Sequence, residues 1–158
     1  MNERRRSSAW VAYAAALWAF IFGVFHVIWA CGWYVGLDQE QSRIAFRKPL
    51  FLAYDLVVAG MCFLAVPVAL AFVQPWGRRL PRSLLGSCAW LGTGLLVLRS
   101  GASLIQMIYH MATGRFSVAA VGIWEPWFLL GAVLFSASTW RFMVSKKGEH
   151  RESTPVDR

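Results

Sequence analysis

A chain of 158 residues that is 58% hydrophobic and only 15% charged departs from soluble domains, which run at about half apolar and a quarter charged. Its net charge of +8 raises nucleic acid as a partner. The basic residues, however, stand in short clusters between long apolar runs, where they read as topology signals facing anionic headgroups, so no nucleic-acid partner is expected.

The chain opens on a basic tail, residues 1–8, with Arg4, Arg5 and Arg6, and enters an apolar run over 9–35. Three more runs follow at 50–73, 84–109 and 118–140, separated by short polar connections, and residues 145–158 form a polar tail. Each run exceeds the roughly 20 residues that a helix needs to cross the hydrocarbon core. Their length and lack of alternation exclude strands of a membrane barrel. The predicted fold is all-α: an antiparallel four-helix transmembrane bundle over residues 9–144, its short loops leaving no room for a second domain.

The first run resembles a secretory signal in its basic start, but its 27 apolar residues are far more than the about 7 to 15 of a cleavable signal, so it reads as a retained helix. A lipoprotein signal at Cys31 fits poorly because bulky Trp29 lies two positions before it. Eleven Lys and Arg fall on the N-terminal tail, second connection and C-terminal tail, against four on the first and third connections. That bias predicts a plasma-membrane protein with both termini in the cytoplasm.

Cys31, Cys62 and Cys88 stand in three different runs with no C-x-x-C pair and no His at ligand spacing, so they read as small buried hydrophobes; neither a dithiol centre nor a metal site is expected. Paired histidines for haem are not expected either. His26 is mid-span and His110 at an outer end, about 15 Å apart along the normal at 1.5 Å per residue. No cofactor is expected.

Four ionisable residues lie inside the runs, one on each: His26, Asp55, Arg99 and Glu125. Counted from the outer ends, they fall at depths of about 15, 8, 15 and 10 Å. Charges at such depth normally face the bundle interior and pair. The expectation is a single buried cluster in the outer half, with Arg99 held by Asp55 and Glu125 and His26 beside them. Arg99, Ser103, Gln106 and His110 share a helical face, as do Phe22, His26, Trp29 and Trp33. Trp29, Trp33, Ser103, Gln106, Trp124 and Trp127 are therefore candidate pocket-lining residues. Glycines 92, 94, 101 and 131 would let helices approach closely, and Gly32 and Gly36 offer docking faces for a partner subunit. Pro126 disfavours helical geometry at Glu125 and suits a first helical turn, so the fourth helix could start near Glu125 and place its carboxylate at a mouth.

The stretches "HVIWACGW" and "WEPWFLLGAVLF" resemble the signatures of an uncharacterised bacterial family of small four-helix integral membrane proteins, a domain of unknown function, over most of residues 10–142. That resemblance implies the fold and no activity. A looser likeness, through Glu-Pro-Trp and scattered acids, is to the emopamil-binding and sigma-2 receptor superfamily, whose members hold carboxylates and Trp in a lipophilic pocket; no catalytic residue is carried over.

Two acids against one arginine, beside an aromatic wall, point to a site for a small cationic or amphiphilic molecule, bound or transported. The alternatives are a structural or accessory membrane subunit, alone, as a homo-oligomer or in a larger complex, whose cluster only fixes packing, and a membrane enzyme acting on a lipophilic substrate with His26 and Glu125 as acid and base. The enzyme reading lacks a nucleophile, a phosphate loop or a cofactor motif.

Overall fold

The computed structural model describes residues 3–114 and 124–152. They form helix α1 (Glu3–Ala30), a short helix α2 (Gln39–Phe46), α3 (Pro49–Ala71), a 3-10 turn (Pro75–Arg79), α4 (Arg82–Ala112) and α5 (Trp124–Glu152), with no strand among the described residues. Within them, Ala9–Ala30, Pro49–Ala71, Arg82–Tyr109 and Trp124–Val144 are long and apolar enough to cross a membrane. This is the all-α bundle of a multi-pass membrane protein. Large apolar side chains such as Leu17, Leu64, Leu98 and Ile105 cover its outside, the pattern of a surface solvated by lipid rather than water.

Local chemistry sets the helix ends. α1 stops at Ala30 because Gly32 turns into the left-handed region at φ 91° and its N–H is taken by Trp29 O, a conformation that glycine adopts at little cost. The first helix therefore ends five residues before the apolar run does. α2 begins where Asp38 caps it, the carboxylate accepting from Gln41 N at 2.8 Å. The 3.6-residue spacing of the apolar runs does not reveal this helix, which lies in the first polar connection; the Asp38-to-Gln41 spacing is its signal. α3 starts with Pro49 at its first turn, where the missing N–H costs nothing. α5 runs from Trp124, the first described residue of this segment, with Glu125 in its first turn, and the carboxylate there complements the positive end of the helix dipole. Residues 118–123, expected to open the fourth span, lie outside the described residues.

The helices form a ring in the order α1, α3, α4, α5. α1 packs along α3 and α5, α4 packs along α5, and the α3–α4 side is the loosest. Close packing on α1 comes from a small-residue stripe, Ala12, Ala15, Ala16 and Ala19, all buried, continued by Gly23, where a Cβ would stand 3.2 Å from Cys62 on α3. In lipid such small faces let backbones approach and gain dispersion contact. Trp18, Phe22, Trp29, Ala69 and Phe135 complete the core. Of the four glycines expected at helix contacts, only Gly131 is one: a Cβ there would run into the Trp18 ring, whereas Gly92, Gly94 and Gly101 face open space. Gly32 also faces open space, while Gly36 lies against the Trp124 ring. Cys31 and Cys88 are exposed rather than buried, and Cys62 is half-buried.

Candidate functional site

His26 sits one turn before the end of α1, and Asp55 on the second turn of α3, so the two meet near one end of the bundle. His26 Nδ1 lies 2.7 Å from Asp55 Oδ1, and the residues are 7% and 4% exposed, deep enough that the pair is shielded from its surroundings. With Asp55 ionised, Nδ1–H is the donor, and in the neutral imidazole this fixes the tautomer and makes Nε2 an acceptor. Nε2 of His26 and Oδ2 of Asp55 are themselves buried and find no hydrogen-bond partner among the described residues.

Arg99 of α4 belongs to a second pair. Its Nη2 donates to Glu125 Oε1 at 3.5 Å, its Nη1 donates to Ser103 Oγ one turn along α4, and its guanidinium carbon lies 4.4 Å from the centre of the Phe128 ring. Ser103 Oγ in turn donates to Arg99 O at 3.1 Å. The Arg99 and Glu125 side chains are 43% and 26% exposed, so this pair is looser and more open than the first. Glu125 Oε2 and Trp127 Nε1 are buried and unpartnered.

The expected single cluster is thus two pairs. Asp55 is taken by His26 and not by Arg99, because α3 turns Asp55 towards α1, its closest neighbour, while the α3–α4 seam is loose. An aromatic layer separates and joins the pairs. His26 packs edge-on against Phe22 at 4.6 Å and Trp29 at 4.9 Å; Phe22 meets Phe128 at 5.0 Å, and Phe128 carries Arg99 on its face. Trp124 packs against Trp29 at 4.7 Å and Phe25 at 5.0 Å.

Two indole N–H groups tie the segment after α1 over this layer: Trp124 Nε1 donates to Gly36 O at 2.8 Å and Trp29 Nε1 to Val35 O at 3.0 Å. Trp127 stacks on Trp18, whose Nε1 donates to Trp127 O at 3.0 Å. Trp33 is a correction. It is 72% exposed and stands apart from the aromatic layer among the described residues, since α1 has ended and the Gly32 turn breaks the face it shared with His26. The side chain of Gln106 lies outside the described residues. The residues missed by sequence reasoning are Phe25 and Phe128, which close the layer; aromatic side chains on apolar helices are too common to single them out beforehand.

No group of three or more His, Cys, Asp or Glu among the described residues could hold a metal ion. No curated protein and no solved structure matches the chain, so the looser likeness to the emopamil-binding superfamily gains no support. Residues 19–135 match the family described as "Protein of unknown function (DUF3995)", a span that runs from the middle of α1 to Phe135 in α5 and includes His26, Asp55, Arg99 and Glu125. The chain belongs to that family.

Proposed function

We propose that this membrane protein binds a small cationic or amphiphilic molecule in the outer half of its bundle, at the aromatic layer between the two pairs. The observation that carries the reading is the buried His26–Asp55 pair with its far atoms unpartnered. Leaving a buried polar group unsatisfied costs about 1–3 kcal/mol. Three of the unpartnered atoms, His26 Nε2, Asp55 Oδ2 and Glu125 Oε2, are acceptors when His26 is neutral and both acids are ionised. Acceptors are satisfied by a guest that brings donors, and two carboxylates against one guanidinium leave a residual negative charge for a cation. The rings of Phe22, Trp29 and Trp124 supply cation–π attraction and apolar contact. An ammonium ion carried on an apolar body has the chemistry that fits.

If the guest is moved across the membrane, Asp55 or Glu125 is the group whose protonation switches affinity; if it is transformed, His26 and Glu125 are the acid and base. The basic clusters support a plasma-membrane location with both termini cytoplasmic, and lipids are the protein's immediate partners. A second reading has its own observation: the His26–Asp55 bond spans the most closely packed helix pair, α1 and α3, and would fix their register in a structural or accessory subunit.

Native mass spectrometry of the protein in mild detergent separates the two. Binding predicts a co-purifying small molecule that Asp55→Asn or Glu125→Gln loses while the fold persists. A structural role predicts variants that unfold with no molecule retained by wild type.

A further inference from the structure

Away from His26 and Asp55, an open groove of about 780 Å³ runs between α4 and α5. Val97, Gly101 and Leu104 form one wall, and Leu129, Val133 and Ala137 the other. The hydroxyls of Thr93 and Thr139 meet across its floor at 3.1 Å, and Ser100 Oγ in the same lining is buried with no hydrogen-bond partner among the described residues; the rest of the lining is mostly apolar. From Trp90 to Leu104 the groove extends about 21 Å at 1.5 Å per residue. Its two ends differ. One is purely aliphatic, at Leu104 and Leu129; the other carries Trp90, Trp140 and Arg141. The second end is also the end of the bundle that carries Arg78, Arg79 and Arg82.

We propose that this groove holds an acyl chain of an anionic phospholipid, with the headgroup phosphate at Arg141. The shape is that of one amphiphile lying along a helix pair: a mostly apolar channel, then two exposed indoles, then a guanidinium towards the end of the bundle that carries Arg78, Arg79 and Arg82. Basic residues at the ends of membrane helices attract acidic headgroups, and Arg meets phosphate with paired donors. The charge at one end and the apolar run towards the other favour a lipid over a second copy of the chain, whose packing would not require an anion.

The test uses the full chain in mild detergent, titrated with phosphatidylglycerol or phosphatidylcholine of identical acyl chains and read by native mass spectrometry. Wild type retains phosphatidylglycerol about fivefold more than phosphatidylcholine, the factor expected of one basic residue near a headgroup. Arg141→Gln removes the preference but keeps both lipids. Gly101→Leu fills open space in the groove and lowers retention of both; Val133→Trp, on the opposite wall, does the same should Gly101→Leu fail to fold. Equal retention of the two lipids by wild type overturns the proposal, as does a preference that survives Arg141→Gln. Unchanged retention in both groove-filling variants also overturns it, and so does a dimer that these variants dissociate while lipid retention persists.

Discussion

His26 and Asp55 are joined at 2.7 Å between α1 and α3, both almost wholly buried, while Arg99 and Glu125 stand 3.5 Å apart and partly open. Burial, more than charge, ranks the two pairs. A partly exposed ion pair contributes about 0.2–1 kcal/mol, whereas a buried partner left alone loses about 1–3 kcal/mol. Asp55→Ala and His26→Ala should each destabilise the protein within that larger range, and the double change His26→Leu with Asp55→Leu should recover part of the loss, because no buried polar atom is then stranded. Thermal unfolding of the four proteins in one detergent measures this.

The second pair should behave differently. Arg99→Leu removes a bond at the long limit of hydrogen bonding, a contact to Ser103 and a stacked Phe128, but it also removes a costly charge from an apolar span. Its stability change should stay within about 1 kcal/mol. A double-mutant cycle between Arg99 and Glu125, read by chemical unfolding, should give a smaller coupling than the cycle between His26 and Asp55.

Gly131→Ala should be among the most damaging conservative changes, because the new methyl meets the ring of Trp18, which is 4% exposed and packed against Phe22, Trp127 and Phe135. Overpacking of this kind costs about 1–3 kcal/mol. Gly92→Ala, on α4 with open space around its Cβ, should be neutral or stabilising by up to about 1 kcal/mol through helix propensity. Melting temperatures of the two variants decide the contrast.

The strap after α1 depends on indole donors. Trp124→Phe keeps a ring against Trp29 and Phe25 but loses the bond to Gly36 O, worth about 0.5–1.5 kcal/mol. Backbone hydrogen exchange over residues 31–38 should accelerate while exchange in the middle of α1 does not.

The proposed orientation has its own check. In a variant lacking the three native cysteines, Gln41→Cys on α2 should react with a membrane-impermeant maleimide added to intact cells. Ser83→Cys at the start of α4 should react only after lysis. Both positions are exposed.

The sequence exposes the helices and the level of the polar residues but not their partners. Apolar runs and a rise of 1.5 Å per residue place His26, Asp55, Arg99 and Glu125 towards one end of the bundle. Which way Asp55 points is set by how α3 rotates against the alanine stripe of α1, a property of two packed surfaces that no spacing along one chain contains. Trp33 shows the complementary failure. Its spacing from His26 is helical, but the positive φ of Gly32 ends the helix before the face reaches it, and hydropathy alone does not distinguish a helix from the apolar turn that follows.

Isothermal titration with a phenylalkyl ammonium ion, in detergent, tests the central claim most directly, comparing wild type with Asp55→Asn at matched folding. The account predicts saturable binding by wild type, weakened about tenfold or more when the Asp55 charge is removed, and weaker binding of the trimethylated ion, which has no N–H to offer the buried acceptors. Equal affinity of Asp55→Asn, or no saturable binding by folded wild type, would contradict it.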